Sequence, residues 1–130
     1  MRELEIVPFV HFPGVVPDAV LLGYYRSHDF YVSSNHLQTW GLAAFEAVAT
    51  GLPVIISHTA GASEVLTHKK NAMIVEACSP EAIAAAVKEC IDNPELYKKL
   101  NEEGRKFVEA NITWEKTANE LIKIFESIKV

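Results

Sequence analysis

A run of small and polar residues near position 40 carries the groups with the clearest chemical potential. Thr39 is a candidate N-cap, and Gly41 follows it just before an apolar helical pattern. A helix start offers free backbone N–H groups and the positive end of the helix dipole, and both favour an anion. Glu46 lies roughly two turns beyond Thr39, among Ala and Phe residues. The stretch therefore predicts an anion site followed by an isolated carboxylate.

Two strands and a helix must position these residues. A predicted strand from Asp29 to Val32 leads into the polar loop, and a β-branched strand at Val54 to Ser57 leaves the helix. Between the strands the apolar positions Leu42, Phe45 and Ala49 recur at helical spacing. Gly51 suits the left-handed position that ends a helix, and Pro53 follows it.

The rest of the chain continues the alternation of strands and helices. Further strands are predicted at Leu4 to Phe12, where Pro8 favours an edge or a bulge, and at Asn71 to Val75. Further helices are predicted to begin at Pro17-Asp18 and, with their caps, at Ser79, Asn93 and Thr113. We predict that the last three bury the apolar stripes Ile83, Val87, Cys90 and Ile91; Leu96, Leu100, Phe107 and Val108; and Trp114, Ala118, Leu121, Ile122, Phe125 and Ile128. The fold class is α/β, a Rossmann-like three-layer sandwich with about four parallel strands in one domain over residues 1–130.

Composition excludes several function classes. The 130 residues include 12 Lys and Arg against 17 Asp and Glu, and a net charge of -5 argues against a nucleic-acid surface. No apolar run approaches the roughly 20 residues that span a bilayer, and the N-terminal residues do not resemble a secretion signal. We expect a cytoplasmic chain in which Cys78 and Cys90 are reduced structural thiols. Peripheral membrane attachment stays open for a full-length parent.

The stretch from Ser33 to Ile56 resembles the signature of the glycosyl transferases group 1 family, retaining nucleotide-sugar glycosyltransferases of the GT-B architecture. That signature is Pro-Ser-x-x-Glu-x-Phe-Gly-Leu-x-x-x-Glu-Ala, followed by a Gly-x-Pro-Val turn into a strand. The residues that match in type and spacing are Ser34, Gly41, Leu42, Glu46, Ala47, Gly51, Pro53 and Val54. Ser33 stands for the Pro, Trp40 for the Phe and Gln38 for the first glutamate. The flanking segments Phe12-x-Gly14 and Tyr25-Arg26-x-x-Asp29-x-x-Val32 match as well.

The resemblance covers residues 6–128 and implies the second half of a GT-B C-terminal domain, which binds the nucleotide-sugar in carbohydrate biosynthesis. It implies donor contacts from Ser34, Thr39, Trp40, Gly41, Leu42 and Glu46. The Gly41-Leu42 turn suits the diphosphate, and a carboxylate at Glu46 suits the paired hydroxyls of ribose. The donor is a substrate, so no cofactor is expected. No metal is expected either, since such enzymes manage diphosphate charge with helix dipoles and basic side chains.

Two departures from the family pattern bear on catalysis. Gln38 occupies the catalytic position of the first motif glutamate, where it keeps a carbonyl acceptor but brings no negative charge to an oxocarbenium-like state. The family's donor domain also begins with a Gly-Arg-x-x-x-x-Lys-Gly-like stretch that binds the diphosphate, and these 130 residues contain no such stretch. We therefore expect the chain alone to be inactive, with an N-terminal acceptor domain supplied elsewhere.

Alternatives remain for single residues and for the whole chain. Glu64, in a loop resembling the family's Gly-rich loop, is either a helix-start carboxylate or a sugar contact. His36 is either a general base or an exposed loop histidine. The chain as a whole is a transferase fragment, a non-catalytic nucleotide-sugar binding module, or a half-domain that self-associates through open apolar faces. A nucleotide-sugar epimerase of the same architecture fits the spacing from Ser34 to Ala47 less well.

Overall fold

The computed structural model describes residues 5–37 and 39–128. Its sheet consists of the parallel strands β1 (Tyr31–Ser33), β2 (Val54–Ser57) and β3 (Met73–Val75), in the order β1-β2-β3. Tyr31 lies opposite Val54, and Ile55 lies opposite Met73. The β2 strand is buried along its whole length, as expected for a parallel strand that is covered on both faces.

The described residues form five helices: α1 (Asp18–Ser27), α2 (Leu42–Ala49), α3 (Pro80–Asp92), α4 (Pro94–Asn111) and α5 (Trp114–Ser127). Of these, α2, α3 and α4 supply the buried side chains that cover the two faces of the sheet. On one face, Ala44, Phe45 and Val48 of α2 pack with Val54 and Ile56 of β2. On the other face, Ile55 and Met73 pack with Ala86 and Cys90 of α3 and with Leu96 and Leu100 of α4. The predicted α/β three-layer architecture is confirmed.

The three predicted helix caps are confirmed by hydrogen bonds. The Ser79 side chain accepts from the Ala82 N–H at 3.1 Å, and the Asn93 side chain accepts from the Leu96 N–H at 3.1 Å. The Thr113 hydroxyl accepts from the Lys116 N–H at 3.2 Å and begins α5. Each cap satisfies a backbone donor that has no acceptor inside its own helix.

The predicted apolar stripes of α3 and α4 are buried or half-buried apart from Ile91, whereas the stripe of α5 is exposed. Cys90, Leu100 and Val108 are buried, but Ile91 is exposed because it lies on the solvent side of α3. The predicted burial of the α5 stripe is wrong, since α5 has no buried residue and Trp114 is 90% exposed. The physical reason is that, in the described part of the chain, no other element packs over this face. Apolar periodicity marks a face suited to burial without supplying the surface that buries it.

The predicted strand from Leu4 to Phe12 is also wrong over its described part, residues 5–12. A short 3-10 helix, Val7–Phe9, lies there instead, with Pro8 in its first turn. Pro8 has no N–H to donate to a strand ladder, and the segment pairs with no strand of the described sheet. Phe9 is 87% exposed as a result. The described sheet therefore has three parallel strands rather than about four.

Candidate functional site

The loop after β1 turns directly into α2 at a left-handed glycine. Gly41 has a φ of 81° and is the N-cap of α2, and its carbonyl accepts from the Ala44 N–H at 2.9 Å. The predicted N-cap at Thr39 is therefore wrong, because the glycine makes the turn two residues later. Gly41 has no side chain to cap the helix, so the N–H groups of Leu42 and Ala43, which come before the Ala44 bond, have neither an intrahelical acceptor nor a side-chain cap from the N-cap residue. The positive end of the helix dipole lies at these groups, and such a helix start favours an anion.

The loop after β2 holds the loop before α2 in place. The Thr59 hydroxyl donates to the His36 carbonyl, and the Thr59 and Ser57 hydroxyls are hydrogen-bonded at 2.8 Å. Gly61 lies so close to Thr39 that an added Cβ would stand 1.8 Å from the Thr39 carbonyl oxygen. The two backbones therefore touch, which only a residue without a side chain permits.

His36 and Glu64, for each of which the sequence allows two roles, belong to the two loops that meet at this contact. The His36 side chain is exposed, and the residue joins the neighbouring loop through its carbonyl. Glu64 is exposed and is the last residue of the short 3-10 helix Gly61–Glu64. The exposure leaves both interpretations of Glu64 open.

Glu46 lies on the outward side of α2 and is bound by a tyrosine from α1. The Tyr25 hydroxyl donates to Glu46 Oε2 at 3.1 Å. Burial raises the pKa of Tyr25 to about 12, with the hydrogen bond to Glu46 and the negative charge of that carboxylate adding to the rise. Tyr25 matched a flanking family segment in the sequence, but nothing there indicated a contact with Glu46, 21 residues away.

A cleft of about 900 Å³ brings three predicted donor residues together. Trp40, Leu42 and Glu46 line it, together with residues from the last turns of α4 and the first turns of α5. The Trp40 ring lies 5.1 Å from the Phe45 ring, centroid to centroid, and so is held against the core. The cleft lining is mainly apolar, it includes the Glu46 carboxylate, and it contains Leu42, the first residue of α2.

The other predicted site residues lie elsewhere or outside the described residues. Ser34 lines a smaller cavity, of about 140 Å³, at the carboxyl ends of the three strands. Thr39 is exposed, whereas Gly41 is buried. Gln38 lies outside the described residues. The cleft and the smaller cavity share no lining residue and are thus separate features.

The described residues show neither a metal cluster nor a helix suited to crossing a membrane. Within residues 5–37 and 39–128, no cluster of three or more His, Cys, Asp or Glu residues has the arrangement of a metal site. Within the same ranges, no helix combines the length and the apolar character needed to cross a membrane.

Comparisons with known proteins identify related chains. The family model described as glycosyl transferases group 1 matches residues 1–107. Mannosylfructose-phosphate synthase from Agrobacterium fabrum is 25% identical over 126 residues, which are 97% of this chain and 28% of that protein. The D-inositol 3-phosphate glycosyltransferase from Thermobispora bispora is 28% identical over 95% of this chain and 28% of its own length. The chain spans between 28% and 33% of the length of these and similar curated relatives.

Solved structures share the fold. Sucrose-phosphate synthase from Thermosynechococcus elongatus superposes with a TM-score of 0.86 at 26% identity, over 98% of this chain and 32% of that one. Anabaena HepE, solved in complex with UDP-glucose, superposes with a TM-score of 0.72 over 81% of this chain and 29% of that one. At 15% identity, the second likeness concerns the fold alone.

Proposed function

The chain belongs to the glycosyl transferases group 1 family, and from that membership we propose that it is the donor-binding part of a retaining nucleotide-sugar glycosyltransferase. In this proposal the diphosphate of the donor binds at the start of α2, and the ribose binds at Glu46. The sugar is transferred only with further protein, since the chain spans about a third or less of its relatives' length. The donor is a substrate, and no resident cofactor is part of the proposal.

The proposal rests on the short distance along α2 between the helix start and Glu46. Leu42 and Glu46 line the same cleft and are separated by one turn of α2, a rise of about 6 Å along the helix axis. The uncapped helix start can stabilise the charge of a departing diphosphate, as donors fixed in advance do in other transfer reactions. A carboxylate one turn away can accept two hydroxyl hydrogen bonds. A nucleoside diphosphate presents both groups at a comparable separation.

Calorimetric titration with UDP-, GDP- and ADP-sugars tests the proposal, on this chain and on a longer protein that contains it. We expect binding of at least one donor and a clear loss of affinity in Glu46→Gln. Glu126→Gln is the matched control, because Glu126 is an exposed carboxylate on α5 that does not line the cleft. Absence of binding by the longer protein for all three donor classes would refute the proposal.

A non-catalytic nucleotide-sugar binding module is the second candidate, favoured by Gln38 at the position of the first motif glutamate. Loss of that carboxylate removes charge stabilisation while leaving hydrogen bonding to a sugar. On this hypothesis Gln38→Glu stays inactive in transfer and in donor hydrolysis. A gain of either activity would count against the module and for the transferase.

Self-association is a third candidate, favoured by the exposed apolar side chains of α5. Such a face is stabilised by burial against another surface. Analytical ultracentrifugation over a range of concentrations measures this directly. A clean monomer at the highest concentration would exclude a role in assembly through copies of this chain.

A further inference from the structure

The Glu46 carboxylate is held by a phenol from another helix. Glu46 is exposed on α2, and an exposed Glu side chain ordinarily samples several rotamers. Here the Tyr25 hydroxyl donates to Oε2 at 3.1 Å across 21 residues of sequence. A hydrogen bond to an ionised carboxylate is stronger than one between neutral groups. The contact therefore selects one orientation of a side chain that would otherwise be mobile.

Tyr25 is itself fixed by the sheet. Its ring packs edge-to-face on Tyr31, with centroids 6.3 Å apart and an interplanar angle of 65°. Tyr31 belongs to β1 and lies opposite Val54 in the parallel ladder. Both tyrosines are half-buried against the core that α2 shares with the sheet. Packing against Tyr31 and the core therefore fixes the position of the Tyr25 hydroxyl beside Glu46.

We propose that Tyr25 is a positioning residue that orients the Glu46 carboxylate toward the paired hydroxyls of a bound ribose. A carboxylate has about four lone-pair sites, and the Tyr25 hydroxyl uses one of them. Oε1 and the remaining site on Oε2 are left for two hydroxyl donors. The raised pKa of Tyr25 keeps its hydroxyl protonated, and therefore a donor, throughout the neutral range. The inference rests on the proposed function, since it assigns the ribose to Glu46.

The test measures ribose discrimination rather than affinity alone. Dissociation constants are measured for whichever of UDP, GDP and ADP binds and for its dideoxy counterpart, which lacks both ribose hydroxyls. The ratio of the two constants reports the hydroxyl contacts, and a general structural weakening would leave it unchanged. The protein is the longest form that contains the chain, as wild type, Tyr25→Phe, Glu46→Gln and the double variant.

Tyr25→Phe keeps the ring that packs on Tyr31 and removes only the hydroxyl. We expect it to lower the discrimination ratio about fivefold, the equivalent of one net hydrogen bond. Adding Tyr25→Phe to Glu46→Gln should change the ratio no further, because the hydroxyl acts through the carboxylate. Tyr24→Phe is the matched control, with the same chemical change on the neighbouring residue of α1, and it should leave the ratio at the wild-type value.

The outcomes separate this inference from the proposed function. If Glu46→Gln lowers the ratio and Tyr25→Phe does not, Tyr25 is no positioning residue and the ribose site at Glu46 stands. If Tyr25→Phe still lowers the ratio in the Glu46→Gln background, Tyr25 acts by another route and the inference fails. If Glu46→Gln leaves the ratio unchanged, the ribose site itself is refuted, and the role of Tyr25 with it.

Discussion

Substitution of Gly61 by alanine tests how the loop after β2 supports the start of α2. An alanine Cβ would lie 1.8 Å from the Thr39 carbonyl oxygen and 2.7 Å from its carbonyl carbon. Real Cβ contacts below 3.0 Å are essentially unknown, so one of the two backbones must move by at least 3.0 − 1.8 = 1.2 Å. The three nearest neighbours of the new methyl group, the third being Trp40 Cα at 3.0 Å, are all backbone atoms, which cannot swing aside as a side chain would.

The displacement should affect both stability and binding. Forced movement in a packed region costs about 1–3 kcal/mol of unfolding free energy. Thr39 lies two residues before Gly41, so a shift of its backbone also moves the first N–H groups of α2. Hydrogen bonds to a charged group are worth about 1.5–3 kcal/mol each and depend steeply on distance. Loss of one such bond predicts at least about a tenfold weaker affinity for the donor diphosphate.

Urea denaturation and calorimetry, applied to Gly61→Ala and Gly23→Ala in parallel, measure the two effects. Gly23 lies inside α1, and an added Cβ there meets nothing within 4 Å. Gly23→Ala should therefore stabilise the chain by about 0.5–1 kcal/mol through helix propensity and leave binding unchanged. A Gly61→Ala variant with wild-type unfolding free energy and wild-type donor affinity would refute the close contact and its role.

Three further predictions concern the core, a helix cap and the Tyr25–Glu46 pair. Leu100→Ala should lower the unfolding free energy by about 2–5 kcal/mol in urea denaturation, because Leu100 is buried. The control Leu121→Ala, on the exposed face of α5, should change it by no more than about 0.5 kcal/mol. Asn93→Ala should cost about 1 kcal/mol in the same assay, since the Leu96 N–H loses its acceptor. Glu46→Gln should lower the pKa of Tyr25 from about 12 toward its ordinary value of 10.0. The ultraviolet absorbance of tyrosinate measures this pKa, and subtracting the titration of Tyr25→Phe isolates the signal of Tyr25. Because the protonated phenol is favoured in the folded state, its contribution to stability is complete below pH 10.0 and is lost as the pH rises toward about 12. An unshifted titration in Glu46→Gln would show that burial alone sets this pKa.

Features that depend on a few adjacent residues were predictable from the sequence. Ser79, Asn93 and Thr113 each cap a helix through a side chain that reaches a backbone N–H three residues later. The run from Val54 to Ser57 is a buried strand at the predicted positions. In these cases the residue and its partner are close in sequence, so local chemistry determines the result.

Features that depend on distant partners were not predictable in the same way. The segment containing Pro8 is rich in the apolar residues of a strand, but a strand also needs a neighbour with which to pair. Thr39 and Gly41 are both acceptable before a helix, and the contact of Thr39 with Gly61 favours the glycine as the turning point. The hydrogen bond between Tyr25 and Glu46 arises only once α1 and α2 are both packed on β1.

The exposed face of α5 and the candidate donor site are physically linked. Trp114 is 90% exposed and lines the same cleft as Leu42 and Glu46. A surface that closes over this cleft and leaves room for a ligand would cover Trp114 and also remove water from beside Leu42 and Glu46. Charge interactions strengthen as water is excluded, so a diphosphate at the helix start and a ribose at Glu46 would both bind more tightly under such a cover. Burial of an apolar helix face and recognition of a charged donor are thus expected to reinforce each other.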